Sequence, residues 1–567
     1  MKIGEMLLKE GLVSAADIDQ AVAAQKESGK FLGRVLIEMG KISEANLLRC
    51  LSTQMHIRFV ELKNLKVSPE IIQKMPIKYA HHYKVFPIQF DKKTLTLAVS
   101  DPLHMGPIED MKMRLGIDIE PVLATSADIE EAIRVHYGVG AETIEKIIEK
   151  DEDRLKSISK NAGKSEEDVE KLASAASVVR LVNEIIKEAI QSRATDVHFE
   201  RFENELIIRY RIDGMLQPAK LSDDIKFLYT AIVARLKIIA GLDIVERRIP
   251  QSGSAHIRIG ENEYDLRVSV IPDHYGEGVV IRVLPTDMLM DLIELGMPEK
   301  NLKQLETFLK MTHGLIYVTG PTGSGKTTTL YACLNRLNRP NVKLISVEDP
   351  VEYKMKGIEQ VQVNSKIGLT FASILRSVLR HDPDIIMVGE VRDAETAQIT
   401  IQASLTGHLV LSTLHTNDAA SAITRLLDMG VESYVVSSSV IAVIAQRLVR
   451  KLCPHCRQPT DWKPTITVFD SCAVAPGDTI YRAEGCEKCR FTGYQGRLAI
   501  YEFLPFTPGV KDLALKKSSA AEIRRLGVEQ GMQTLFQAGW EKVRQGLTTP
   551  EEVLRTVQMS SDVNLLS

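Results

Sequence analysis

Aromatic residues make up only 5% of this 567-residue chain, two of them tryptophan. So small a supply argues against a surface that stacks single-stranded nucleic acid base by base. An excess of charge is also missing: 71 Lys and Arg face 74 Asp and Glu, a net of -3, which disfavours a globally basic nucleic-acid binder. Long apolar runs are absent too. The longest, about Tyr434 to Ala445, includes three serines and falls well short of the ~20 residues a membrane helix needs. The opening MKIGEMLLKEG breaks its apolar run with charges and offers no secretory leader, so a cytoplasmic protein is expected. Cysteine is scarce and odd in number, seven in all, and four of them form two CxxC pairs. In a reducing compartment such pairs point to metal rather than to a disulfide framework.

What is present is ordinary globular material, 44% hydrophobic and 26% charged, long enough for roughly three to five domains. The start is a repeat: KIGEMLLKEGLVSAADIDQAVAAQ from Lys2 aligns with FLGRVLIEMGKISEANLLRCLSTQ from Phe31, an offset of 29 residues. Each copy reads as a short helix, a Gly stop, a Ser N-cap and a second helix, giving a duplicated helical module over 1–60. KVFPIQFDKKTLTLAVSD then reads as a hairpin, with helices near Ile108 to Leu115 and Asp128 to His136, in a small α+β domain over 61–140. Residues 141–176 are dense in Lys, Glu and Asp and suit a solvated linker. An amphipathic stripe from Val178 to Ala189 and strands near Glu205 to Tyr210 and Glu263 to Val270 predict a second α+β domain over 177–285. Beyond it, over 290–567, apolar strands at Leu315 to Thr319, Lys343 to Val347, Ile385 to Val388 and Leu409 to Thr413 alternate with helices, an α/β pattern with a mainly parallel sheet.

The segment GPTGSGKTT, comprising Gly320, Pro321, Thr322, Gly323, Ser324, Gly325, Lys326, Thr327 and Thr328, follows an apolar strand and opens a helix. That is the context of a phosphate-binding P-loop. Glycines let successive N–H groups wrap phosphate, Lys326 reaches the β- and γ-phosphates, and the Thr327 hydroxyl ligates Mg²⁺. Glu348, in ISVEDPVEY, and Glu390, in HDPDIIMVGEVRD, stand at ends of further strands, where parallel sheets place their ligand crevice. A carboxylate there can orient or deprotonate water. Gly389 occupies the place where a magnesium-binding Asp normally lies, so metal support falls to Thr327, water and other carboxylates. His408 and His415 flank the strand LVLSTL. A strand-edge histidine is commonly a hydrogen-bonded structural residue, and the pair, beside Thr413 and Thr416, also suits a nucleotide-state sensor.

Together GPTGSGKTTT, ISVEDPVEY, DPDIIMVGEVRDAETA and TGHLVLSTLHTND resemble the secretion ATPases of the type II/type IV pilus superfamily. With the N-terminal repeat, ATDVHFE, RYRIDGM, RRIPQSG and the late CxxC pairs, the resemblance covers nearly the whole chain, on its pilus-assembly (PilB-like) and type II secretion (GspE-like) branch. It implies an α/β fold with a RecA-like ATPase domain, preceded by a PAS-like α+β domain and a helical plus α+β N-terminal region. It further implies that Glu348 belongs to an Asp box, that Glu390 is the catalytic glutamate of an atypical Walker B segment to which Gly389 belongs, and that His408 and His415 form a His box. A homohexamer is implied as well, in which Arg209, Arg211, Arg267 and Arg282 reach a neighbour's nucleotide. Spaced two apart on a strand, Arg209 and Arg211 share a face, although ordinary surface ion pairing explains such arginines equally well. Where family members often carry Asp-Gly-Arg after IPQ, this chain has Ser252, Gly253 and Ser254, so no arginine acts there.

CPHC supplies Cys453 and Cys456, CEKC supplies Cys486 and Cys489, and 29 residues separate the pairs. Four thiolates suit a tetrahedral Zn²⁺, structural because its coordination is closed, in an insert at about 453–497; a redox role is the alternative. His455 is read as a bystander, and Cys50, Cys333 and Cys472 as lone residues. The expected function is an ATP hydrolase that drives an inner-membrane platform protein to extend a type IV pilus, working peripherally at the membrane. Type II secretion is the alternative, and a nucleic-acid motor a more distant one. The long N-terminal region favours the pilus over secretion; retraction-type relatives lack it. Relatives that bind cyclic di-GMP begin each half of the repeat with Arg, where this chain has Lys2 and Phe31. Weak or absent binding is therefore expected, with the module docking the platform or a regulatory protein.

Overall fold

The computed structural model describes residues 3–28, 30–63, 65, 67–101, 106–137, 143–144, 147, 173–203, 205–286, 291–461 and 479–557. Two compact units make up the chain: Met1–Ile259 with Asp265–Val283, and Gly260–Tyr264 with Leu284–Ser567. Most of the charged linker expected at 141–176 lies outside the described residues, as do Lys2 and Cys472.

In the first unit the repeat becomes two helix pairs, α1 (Ile3–Lys9) with α2 (Ala15–Ser28) and α3 (Leu32–Glu38) with α4 (Glu44–Met55). Gly11 and Gly40 take φ of 68° and 70° after α1 and α3, a left-handed stop that costs glycine little. Ser14 and Ser43 accept the N–H groups of Asp17 and Asn46, capping the second helix of each pair. Leu7, Leu36 and Leu47 fill the core between them. The hairpin forms as β1 (Val85–Asp91) and β2 (Thr94–Val99), and β3 (Asp118–Leu123) adds parallel to β2.

The amphipathic stripe becomes α5 (Ala176–Gln191), with Val178, Leu181, Val182, Ile185, Ile186 and Ala189 buried. It packs on a six-stranded sheet of β4 (Ala194–Arg201), β5 (Leu206–Ile212), β6 (Met215–Pro218), β7 (Gln251–Ile259), β8 (Asn262–Asp273) and β9 (Gly276–Pro285), in the order β6-β5-β4-β9-β8-β7. Val197, Phe199, Ile208, Tyr210, Val279 and Ile281 line the buried face. Alternation leaves the other face to polar residues.

The second unit is built on a seven-stranded sheet of β10 (Gly314–Thr319), β11 (Leu344–Glu348), β12 (Glu359–Gln362), β13 (Ile385–Val388), β14 (Leu409–Leu414), β15 (Val440–Leu452) and a last strand, β18 (Tyr494–Pro505). A small two-stranded pair, β16 (Gln458–Thr460) and β17 (Ile480–Arg482), lies between β15 and β18 in sequence. The sheet order is β12-β11-β13-β14-β10-β15-β18, parallel except for β18. Every residue of β10, β11, β13 and β14 is buried, which is why these strands read as unbroken apolar runs. The apolar stretch from Tyr434 to Ala445 proves to be two elements, a helix over Ser433–Ser439 and the start of β15. Its β-branched half, Val440 to Ile444, suits a pleated strand better than a helix.

Candidate functional site

Parallel strands deliver their C-terminal ends to one edge, and here β10, β11, β13 and β14 open onto a common crevice. β10 runs into the loop Gly320–Gly325 and then into α6 (Lys326–Leu337). Gly320 is required by space: a Cβ would lie 2.5 Å from both the Gln446 carbonyl oxygen and the Ser324 hydroxyl. Gly325 has φ of 85°, and its Cβ would meet the Gln446 amide at 2.8 Å. Pro321, Thr322, Gly323 and Thr327 are exposed, as a phosphate cradle requires. Lys326 Nζ donates to the carbonyls of Gly320 (2.8 Å) and Pro321 (3.0 Å). Burial pushes this ammonium down to about 8, with Glu390 opposing the shift and Arg447 adding to it. The Ser324 hydroxyl is buried with no partner among the described residues.

Glu348 closes β11 and is 2% exposed. Its Oε1 accepts from Ser346 (2.6 Å) and Gln360 (3.2 Å), and its Oε2 from the Tyr331 hydroxyl of α6 (2.5 Å). Beside it lies Gly389, where a Cβ would stand 3.2 Å from the Val347 carbonyl oxygen and 3.4 Å from Glu348 Cα. A side chain at 389 would therefore press on β11 at the base of Glu348, which gives the missing aspartate a steric reason.

Glu390 follows, before α7 (Ala394–Leu405), whose N-terminus Asp393 caps through the Thr396 N–H at 2.8 Å. Arg392 lies 2.7 Å from Glu390 Oε1, and His415 Nε2 lies 3.4 Å from Oε2. Burial lowers the pKa of His415, and Lys326 lowers it further against the pull of Glu390, so the ring is held toward its neutral form. Thr413 ties the two segments, donating to the Gly389 carbonyl at 2.7 Å and accepting the Val391 N–H on its own carbonyl at 3.1 Å.

The structure brings Lys326, Glu390 and His415 together and leaves His408 elsewhere. Leu409 pairs with Gly314 and Leu414 with Thr319, so His408 precedes β14 at the opposite edge of the sheet. Six residues of strand put it about 20 Å from the crevice. Its Nδ1 lies 2.8 Å from the Ala403 carbonyl and 3.2 Å from the Thr406 hydroxyl, the hydrogen-bonded structural arrangement. The four arginines lie in the first unit, on the polar face of the β4–β9 sheet. Arg209 grips Glu200 at 2.5 and 2.6 Å, Arg282 donates to Asp196 at 3.1 Å, and Arg211 donates to the Gly214 carbonyl at 3.0 Å. Arg267 shares their face, lying between the buried Leu266 and Val268. Sequence reasoning missed Tyr331, Gln446 and Arg447, which stand outside every motif, and passed over Arg392, which stood inside one.

The two CxxC pairs do converge. Leu452, the end of β15, pairs with Tyr494, the start of β18, so antiparallel strands carry both cysteine turns to one point despite the residues between them. The four sulfurs lie within 4.8 Å of one another, with Cys453 to Cys486 at 3.9 Å and both Cys456 to Cys489 and Cys486 to Cys489 at 3.7 Å. A tetrahedron of sulfurs about 2.3 Å from a metal has edges of about 3.8 Å, whereas a disulfide needs about 2.05 Å. The cluster thus fits a tetrahedral four-thiolate metal. Burial raises Cys489, but N–H donors from Cys486 (3.1 Å) and Gly493 (3.2 Å), together with the Cys456 and Cys486 thiols, outweigh it and bring the thiol down to about 7. His455 is exposed and is not among the clustered donors. Cys333 is buried, and Cys50 is buried with its thiol on Glu10 at 2.9 Å.

A family model described as "Type II/IV secretion system protein" matches residues 171–555, and one described as "MshEN domain" matches residues 55–143. The chain is 41% identical over 565 residues to the type IV pilus assembly ATPase PilB of Myxococcus xanthus, spanning 98% of each chain. It is 39% identical over 573 residues to type II secretion system protein E of Xanthomonas campestris pv. campestris, again spanning 98% of each. Among solved structures, the ATPase DotB of Yersinia pseudotuberculosis superposes with a TM-score of 0.50 over 67% of this chain and 94% of that one, at 21% identity, a likeness of fold. The N-terminal region is therefore shared with a secretion relative as fully as with a pilus relative, and it does not separate the two readings. No helix among the described residues is long and apolar enough to cross a membrane. With a phosphate loop at the edge of a parallel sheet and relatives aligned end to end, the chain belongs to the type II/IV secretion system protein family and is an ATP hydrolase.

Proposed function

We propose that the protein is a hexameric motor that couples ATP hydrolysis to type IV pilus assembly by driving an inner-membrane platform protein. One observation carries this reading: Lys326, Glu390 and His415 share one crevice in a chain that is 41% identical, end to end, to a pilus assembly ATPase. In the proposed cycle the loop N–H groups wrap the phosphates, and Lys326 leaves the carbonyls of Gly320 and Pro321 for the β- and γ-oxygens. Glu390 orients and deprotonates the attacking water, steadied by Arg392 and His415, while Glu348 is fixed by its three donors close behind. The Thr327 hydroxyl, with water, would hold Mg²⁺, which would neutralise charge at the phosphates. Arg209, Arg211, Arg267 and Arg282 reach the nucleotide of a neighbouring subunit. Cys453, Cys456, Cys486 and Cys489 would hold zinc as a closed, structural centre.

The second reading, type II secretion, is favoured by the 39% identity to a protein of that system. A deletion strain decides. Loss of surface pili with secretion intact supports the pilus motor; the reverse assigns the protein to secretion. Mixing Lys326→Ala subunits with Arg209→Ala/Arg211→Ala subunits tests the arginines, because activity is regained only if they act between chains.

The N-terminal module docks the platform or a regulatory protein and binds cyclic di-GMP weakly or not at all. Phe31 is 66% exposed and cannot donate to phosphate, and Arg34, with 73% of its side chain exposed, faces Glu38 at 3.8 Å. Calorimetry on the full chain yielding a submicromolar constant, tighter than about -8 kcal/mol, would overturn this.

A further inference from the structure

Past its last pairing with β10, Ala445 opposite Thr319, β15 carries two successive residues that face opposite sides. Gln446 faces the phosphate-loop helix: its Oε1 accepts the Thr329 hydroxyl at 2.7 Å, and its amide packs on Gly325. Arg447 faces the turn that follows β14, where its Nη2 donates to both the carbonyl and the Oδ1 of Asn417, each at 3.1 Å. That turn also carries His415, which meets Glu390, and Thr416, whose N–H donates to Thr319 at 2.9 Å.

Arg447 is an odd residue to find there. It is 6% exposed, its Nη1 has no partner, and no carboxylate lies within ion-pair distance of it among the described residues. The nearby acids are engaged elsewhere, Asp418 by Arg524 at 2.8 Å and Glu502 by the N–H groups of Ala419 and Leu535. A buried, unpaired cation is costly, and an apolar residue would serve stability better. Its guanidinium has one visible use, the two N–H groups of Nη2 that hold the carbonyl and the Oδ1 of an otherwise exposed asparagine.

We infer that Arg447 is a positioning residue for hydrolysis: through Asn417 it holds the turn so that His415 meets Glu390, while its neighbour Gln446 holds the phosphate-loop helix. This rests on the reading of Glu390 and His415 as members of the hydrolytic site. The middle of β15 thereby clamps the nucleotide cradle and the His415 turn together.

A double-mutant cycle on the full chain tests it, with ATP turnover and fluorescent-nucleotide affinity as readouts. Arg447→Lys keeps the charge but replaces the two in-plane N–H groups of Nη2 by a shorter, tetrahedral ammonium; kcat should fall at least about tenfold with nucleotide affinity changed less than about threefold. In a His415→Ala background the same change should cost less than about twofold, because the residue it positions is gone. Equal losses in both backgrounds, or a loss confined to affinity, overturn the inference. If Arg447→Lys does not fold, the exposed Asn417→Ala takes its place in the cycle with the same two outcomes. His415→Ala that turns over like the native protein removes the proposed site reading itself, and this inference with it.

Discussion

The four-cysteine cluster and the phosphate crevice occupy one compact unit, yet their donors are disposed in opposite ways. At the cluster, sulfurs already stand 3.7–3.9 Å apart, at the edge lengths of a four-thiolate tetrahedron, and main-chain N–H groups back Cys489. Nothing there has to move. At the crevice Lys326 is bonded to its own loop, the Ser324 hydroxyl and one arm of Arg447 have no partner among the described residues, and Lys326 and Arg447 oppose each other's charge. In the proposed cycle Lys326 gives up its loop carbonyls for the incoming phosphates. A closed site stabilises the chain, whereas an open one holds unspent polarity where charge is to be bound.

The contrast can be broken most severely at the crevice. Lys326→Ala should abolish phosphate release while metal content matches that of the native chain. Glu390→Gln should lower turnover at least about a hundredfold and leave nucleotide affinity within a few-fold, since it removes the base and spares the cradle. Near-native turnover in Glu390→Gln would move the base to Glu348 or elsewhere. At the cluster the expected cost is to stability and not to nucleotide binding. Cys453→Ser should lose the metal and about 2–5 kcal/mol on denaturant unfolding, with native nucleotide affinity. A native chain prepared without chelator that carries less than one metal would show the cluster is not closed by one.

A smaller effect sharpens the same comparison. In nucleotide-free protein Lys326 sits at about 8, below the ordinary lysine value of 10.5, so the unfolded chain holds this proton more tightly. Native stability should rise with pH between those two values, the window in which the unfolded state alone keeps the proton. Lys326→Met should therefore stabilise the nucleotide-free protein by about 1–2 kcal/mol at pH 7 after solvent screening, and the advantage should fade as pH passes through the window. Thermal melts at pH 7 and above pH 10 check the sign.

Much of this was legible because its chemistry is contiguous. Gly320 to Thr327 form a cradle from neighbouring residues, and the doubled helix–Gly–Ser pattern needs only its own caps, which Gly11, Gly40, Ser14 and Ser43 supply. The N-terminal length looked like a sign of pilus work and was not one, since both full-length relatives carry it. His408 and His415 looked alike as flanks of one strand. They part company because a strand has two ends, and in a parallel sheet only the C-terminal end borders the crevice.

By itself, then, the sequence determined the phosphate loop, the cysteine pairs, the repeat and the alternation of apolar strands with helices, all of them short-range patterns. Tertiary structure alone decided that Tyr331 meets Glu348, that Arg447 reaches Asn417, that a side chain at Gly389 would press on Glu348, and that β15 and β18 bring the cysteine pairs together. The physical reason lies in the central strands. Buried on both faces, they carry no alternation from which their order or pairing could be read, so long-range hydrogen-bond ladders and packing make that choice.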